Sequence, residues 1–164
     1  MLKKIVFLSA LCMSMYGIES DGFRDIKWGS SPDALGKNIN ISHEDKPTKQ
    51  KMITKNDDKL SISTAKLESI NYRYFDEKLM GVLIIFKGYE SFAVIKNAFE
   101  EKYGSPYKPN RYMEDYMWNN GNAMLEIQYS NRSNQGTALF VNKKIHDEEK
   151  AFATQLARGA SKDF

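Results

Sequence analysis

The chain has one cysteine, Cys12, and two histidines, His43 and His146, in 164 residues. One thiol allows no internal disulfide and no multi-cysteine metal site. His43 lies beside Glu44-Asp45, and His146 precedes Asp147-Glu148-Glu149. One imidazole per cluster, with neighbouring acids pointing in different directions, reads as solvated surface; at His146 the acids suit the start of a helix. There is no Gly-x-Ser-x-Gly elbow, no Gly-x-x-x-x-Gly-Lys loop and no Rossmann glycine set, so no serine nucleophile or nucleotide cradle is signalled. No catalytic residue, cofactor or metal ligand is expected.

Charge of one sign is also scarce. Lys and Arg number 24 against 21 Asp and Glu, a formal +3, and the two signs are interspersed. The densest basic stretch, Lys46-Pro47-Thr48-Lys49-Gln50-Lys51, is followed by Asp57-Asp58 and reads as a solvated loop. A nucleic-acid binder shows a sustained basic face, so nucleic acid is not an expected partner.

Long apolar runs are missing except at the start. Lys3-Lys4 precede a nearly unbroken apolar stretch from Ile5 to Ile18, and Glu19-Ser20-Asp21 follow. A basic start, a short apolar core and a polar continuation are the layout of a secretory signal peptide; a membrane-crossing helix needs roughly 20 apolar residues. Residues 1–20 are expected to be a cleaved leader, with the cut after Ser20 preferred to one after Ser14. Leu11, directly before Cys12, disfavours lipidation there. Cleavage removes the sole thiol, and the loss of Lys3, Lys4 and Glu19 leaves a net charge of +2. Residues 21–164 are long enough for one domain, held together by packing alone. The expected location is exported, periplasmic or secreted, with no transmembrane segment left after cleavage.

Within residues 21–164, Ser31-Pro32-Asp33 is a helix start: a cap, a proline at the first helical position and an acid in the first turn. Asn40 to Lys59 is polar and reads as a loop with one or two short edge strands, anchored by Ile53 and Met52. Ile70, Tyr72 and Tyr74 alternate; Asp76-Glu77-Lys78 is a turn; Leu79 to Phe86 is apolar on both faces. This predicts a β-hairpin whose second strand is central in its sheet. Phe92, Ile95 and Phe99 form a helical stripe over 90–103, stopped by Gly104-Ser105-Pro106. An Asn119-Asn120-Gly121-Asn122 turn joins a strand carrying Tyr112, Glu114, Tyr116 and Trp118 on one face to a strand carrying Leu125, Ile127 and Tyr129. Thr137 to Asn142 makes a third strand, and the segment from Asp147 is helical. The expected fold class is α+β: an antiparallel sheet of about five strands (hairpin plus three-strand meander), a long helix on one face, and short N- and C-terminal helices.

The segment Phe23-Arg24-Asp25-Ile26-Lys27-Trp28-Gly29-Ser30-Ser31-Pro32-Asp33 resembles the start of small exported bacterial proteins of uncharacterised function, in which a Phe-x-x-Ile-x-Trp-Gly segment leads into a short helix. The hairpin at Lys78-Leu79, the helix end Lys102-Tyr103-Gly104-Ser105-Pro106 and the Trp118 strand extend that resemblance. A weaker similarity is to SmpA/OmlA-type assembly lipoproteins and to β-lactamase-inhibitor-like modules. These resemblances imply an envelope location and a fold, and carry no catalytic residues.

Aromatic residues are the one chemical excess, and tyrosine and tryptophan are enriched at interaction surfaces. Tyr107, Tyr112, Tyr116 and Trp118 are the candidate partner-binding residues, although strand aromatics are equally core residues. The expected function is a non-enzymatic binding or assembly module contacting another protein or envelope component. The alternative is a small carboxylate-dependent hydrolase acting on envelope carbohydrate through Glu114 and Glu126. An enzyme predicts a concave pocket around one of these acids with a raised carboxyl pKa; a binding module predicts a flat or grooved surface and unperturbed acids.

Overall fold

The computed structural model describes residues 21–160; the expected leader over residues 1–20, with Cys12, lies outside them. A two-stranded hairpin, β1 (Gly22–Phe23) and β2 (Ile26–Lys27), comes first, followed by a 3-10 turn over Pro32–Leu35. The rest builds one large antiparallel sheet. Its members are β3 (Ile39–Asp45), β4 (Gln50–Lys55), β5 (Ser61–Ile62), β6 (Ala65–Phe75) and β7 (Lys78–Lys87), then β8 (Glu114–Asn120), β9 (Ala123–Ser130) and β10 (Gln135–Asn142). The order is β3-β4-β6-β7-β10-β9-β8, with β5 paired to β6. Helix α1 (Tyr89–Tyr103) links β7 to β8, and α2 (Lys143–Ala160) follows β10.

The expected five-strand sheet with one long and two short helices is therefore corrected. Among the described residues the chain is mostly sheet, eight strands in one sheet and two in the small hairpin, with two helices. The difference comes from the additional strands β1 to β5 and from the length of α2. β3 and β4, of 7 and 6 residues, fall in the segment read as a loop with one or two short edge strands; β3 is an edge strand whose residues are exposed or half-buried throughout, so no apolar alternation marks it. α2 runs for 18 residues against 15 in α1, although only a thin apolar stripe signals it.

β7 sits between β6 and β10, as its two-sided apolar composition requires. On one face of the sheet Ile70, Tyr72 and Tyr74 of β6 join Val82, Ile84 and Phe86 of β7, Ala138 and Phe140 of β10, and Leu125 and Ile127 of β9 in the main core. The register shifts at Glu68 and again at Met80. Because side-chain direction alternates at every residue, the extra residue at Met80 turns Leu79 into the main core and sends Met80 to the opposite face.

Helix α1 covers the main face with Phe92, Ile95 and Phe99, all buried. Burial of three such side chains contributes roughly 5–9 kcal/mol at ~1.5–3 kcal/mol each. Their rings mesh with the sheet: Phe99 lies 5.5 Å from Trp118 and 5.0 Å from Phe140, both edge-on, and Phe92 stacks on Tyr129 at 5.4 Å. Helix α2 covers one end of the opposite face, where Phe75, Met80, Val141 and Ile145 form a second, smaller core with Leu139 and Phe152. Asn142 caps α2, its Oδ1 accepting the Ile145 N–H at 3.1 Å. Beyond Phe152 the helix is exposed at every described residue. Among the described residues, no helix covers the rest of the second sheet face.

Candidate interaction surface

Strand parity divides the β8–β9 hairpin between the two faces. Glu114, Tyr116 and Trp118 are aligned with Tyr129, Ile127 and Leu125 and point to the α1 side. Asp115, Met117 and Asn119 are aligned with Gln128, Glu126 and Met124 on the other side. The four expected contact residues are accordingly split. Trp118 is 3 % exposed and belongs to the core. Tyr116 is half-buried: its ring lies 6.1 Å from Phe92, with the ammonium groups of Lys96 and Lys108 at 4.8 and 4.7 Å. Its hydroxyl donates to Glu114 at 2.7 Å and accepts from Lys108 at 3.0 Å. Tyr107 and Tyr112 are exposed, 68 % and 79 %.

Tyr107 is held by its backbone. It exchanges two 2.8 Å hydrogen bonds with Met117, adding a single antiparallel bridge outside β8 and blunting that sheet edge. Tyr112 is packed under the guanidinium of Arg111, 4.6 Å from its ring centre, and its N–H donates to Asn110 at 2.9 Å. Tyr107 and Trp118 line one cavity of about 370 Å³, together with Met117, Asn119, Met124 and Lys143. Tyr112 does not contribute to it.

A second cavity, of about 360 Å³, opens at the other end of β8, between Met113, Asp115, Gln128, Ser133, Thr137 and Ile85. Glu126, aligned with Met117 in the ladder, lines neither cavity. Glu126 is half-buried, and its carboxyl titrates above the ordinary carboxylate range: burial penalises the charged form, the neighbouring Asp115 charge adds to this, and a hydrogen bond from the Gln128 amide partly offsets both. One carboxylate oxygen of Asp115 is buried without a hydrogen-bond partner. Among the described residues neither acid makes an ion pair. Glu114 and Glu126, the pair expected for glycoside chemistry, are on opposite faces of the sheet; the acid beside Glu126 is Asp115. The raised Glu126 carboxyl meets one expectation of an enzyme. Glu126 lines neither cavity, whereas Glu114 lines the one at the Met113 end; the raised Glu126 carboxyl also departs from the unperturbed acids expected of a binding module. Asp115 follows from the alternation of the strand with Glu114, Tyr116 and Trp118, but a single acid on a sheet face carries no signal of its own.

Of the two histidines read as solvated, only His146 sits differently. His43 is exposed on β3, whereas the His146 ring is 3.1 Å from Glu149, a buried acid that also accepts from Gln50 at 2.7 Å. Glu149 thereby anchors α2 to the sheet rather than merely favouring a helix start. Among the described residues no group of three or more His, Cys, Asp or Glu side chains is placed to hold a metal ion, and no helix is long and apolar enough to cross a membrane. Compared with protein-family models, with curated proteins and with solved structures, the chain matches none. The family resemblance therefore rests on the segments from Phe23 to Trp118 that suggested it.

Proposed function

We propose that the protein is an exported, periplasmic, non-enzymatic module that binds or helps to assemble another protein or envelope component. Its contact surface is the open sheet face along β8 and β9 together with the rim at Tyr107 and Met113. The carrying observation is the groove itself: two cavities of about 360 and 370 Å³ on the sheet face that α2 leaves uncovered, bordered by the exposed Tyr107 and Met113. Concave surface of this kind, with methionine and aromatic borders, fits an adaptable protein contact. The basic start and apolar stretch of residues 1–18 support export.

The test is site-specific photocrosslinking in envelope preparations, with the probe at Met113 or Tyr107 and a control probe at the exposed Asn97 of α1. The reading expects one discrete crosslinked partner from the groove positions and none from Asn97. Mass spectrometry of the purified protein should find Asp21 as its first residue. A diacylated Cys12 would replace the free periplasmic module with an anchored one.

A second reading has one specific observation in its favour, the raised Glu126 carboxyl beside Asp115. Carboxyl groups held at different protonation states are the machinery of carboxylate-dependent glycoside hydrolysis. That reading expects release of sugar fragments from envelope glycans, abolished in Glu126→Gln.

A further inference from the structure

We propose that the β8–β9 groove takes a peptide segment of the partner in which a lysine or arginine is flanked by apolar residues, the cationic side chain sitting on Asp115 and Glu126. This rests on the binding-module reading and names the chemistry of the partner.

The first observation concerns charge. Two other half-buried acids have cations beside them: Glu114 has Lys108 at 3.8 Å and Asp58 has Arg24 at 2.6 Å. Asp115 and Glu126 occupy diagonal positions on one sheet face, where like charges repel. Both lack a cation, and a buried oxygen of Asp115 lacks any donor. An ammonium or guanidinium seated beside the two acids would offset their mutual repulsion and supply charge-assisted donors to their accessible oxygens.

The second observation concerns shape. Asp115 lines the cavity at the Met113 end, and Glu126, diagonal to it, lines neither cavity. Towards Ile85, Met113 and Thr137 the lining is mainly apolar, and so it is towards Tyr107, Met117 and Met124. A free amine would use the acids and leave the apolar lining of both cavities uncovered. A chain with apolar side chains on either side of a basic one uses all three. Direction follows as well: Lys143 closes the Met124 end, donating to Asn119 and to the Gly121 carbonyl. A second basic residue of the peptide is thus disfavoured there and favoured towards Asp115.

The raised Glu126 carboxyl agrees with this placement, since a cation beside it would draw its titration back down.

The experiment titrates the full exported chain with a labelled peptide carrying one arginine between leucine and phenylalanine residues. The controls are its citrulline and glutamate counterparts and spermidine. The arginine peptide should bind, with citrulline weakening it by about tenfold or more and glutamate abolishing binding, as expected for losing a charge-assisted pair. Asp115→Asn and Glu126→Gln should each weaken the arginine peptide about three- to tenfold, and Glu101→Gln, on exposed α1, should leave it unchanged. Thermal melts of each variant show that the fold is retained. Equal affinity for the arginine and citrulline peptides, binding untouched by the double variant, spermidine matching the peptide, or no peptide binding at all overturns the proposal. If Met113 still crosslinks a partner in any of those cases, the cationic anchor fails while the binding module stands. If crosslinking is absent too, both fail.

Discussion

The indole N–H of Trp118 donates to the carbonyl of Gly104 at 2.7 Å, so an edge strand of the sheet satisfies a backbone acceptor at the end of α1. Gly104, at φ 82°, takes the left-handed region that glycine occupies without strain and ends the helix with its N–H on Glu100. The same indole packs edge-on against Phe99. Helix end, strand and core are thus joined through one side chain.

Trp118→Phe should retain much of the ring packing while leaving the Gly104 carbonyl without its donor. The expected cost is about 1–3 kcal/mol from the unpaired acceptor and the lost volume. Urea unfolding measures it, with the midpoint moving and the slope unchanged. A variant as stable as the parent would mean that water replaces the indole at no cost.

A second link ties the small N-terminal hairpin to the main sheet. Arg24 meets Asp58 at 2.6 Å, and the other Asp58 oxygen accepts from the Tyr72 hydroxyl at 2.8 Å. The Asp58 side chain is 6 % exposed, while Arg24 is 29 % exposed and partly screened by water. Burial, and then the bond to Asp58, hold the Tyr72 hydroxyl far above the ordinary tyrosine range, so it stays protonated and able to donate. Tyr72→Phe should cost about 1 kcal/mol. Asp58→Ala should cost more, about 2–3 kcal/mol, because it strands both partners. A double-mutant cycle of the two substitutions should show clear coupling; simple additivity would disprove the shared network.

The hairpin of β6 and β7, the α1 stripe and the Asn-Gly turn of the meander were legible because each is a period or a turn signal written in consecutive residues. β3 was not, because a polar edge strand buries almost nothing and so carries no alternation. Its partner β4 contributes one fully buried residue, Ile53, too little to distinguish a strand from an anchored loop. The candidate surface was half legible. Tyr107 and Tyr112 are exposed as a contact reading requires, but Trp118 and Tyr116 face the helix, since parity puts them on the same side as Leu125 and Ile127. Asp115 and Met117 follow from that same parity once the buried side is known. The open face they occupy depends on where α2 stops covering the sheet, which no local pattern encodes.

Gly136 lies opposite Phe86 in the β10–β7 ladder. A Cβ at this position would fall 2.2 Å from the Phe86 ring and 2.8 Å from the Gln128 carbonyl. Phe86 is fully buried, so neither ring nor backbone can retreat freely. Gly136→Ala should destabilise by about 1–3 kcal/mol or more through overpacking. Adding Phe86→Leu should recover part of the loss, measured as Tm for the single and double variants. Failure of the second substitution to recover any would put the strain in the backbone contact instead of the ring.

Glu126 gives the fold a pH dependence of known sign. Its carboxyl titrates higher in the folded chain than the ordinary value near 4.5, first because it is buried and then because Asp115 is close. The folded state holds the proton more tightly than the unfolded state. The contribution to stability is therefore fully present below the unfolded pKa and is lost as pH rises through the folded one. Glu126→Gln, which stays neutral, should gain stability relative to the parent as pH is raised from 4 to 8, and the gap should level off once the parent carboxyl is ionised. Asp115→Asn should shrink the gap without removing it, since burial is the larger cause. Unfolding free energies at matched ionic strength across that range decide the matter. A gap that narrows on going to higher pH would mean that the folded chain supplies Glu126 with a cation, and Asp115 and Glu126 would then no longer be a vacant seat for a partner's basic side chain.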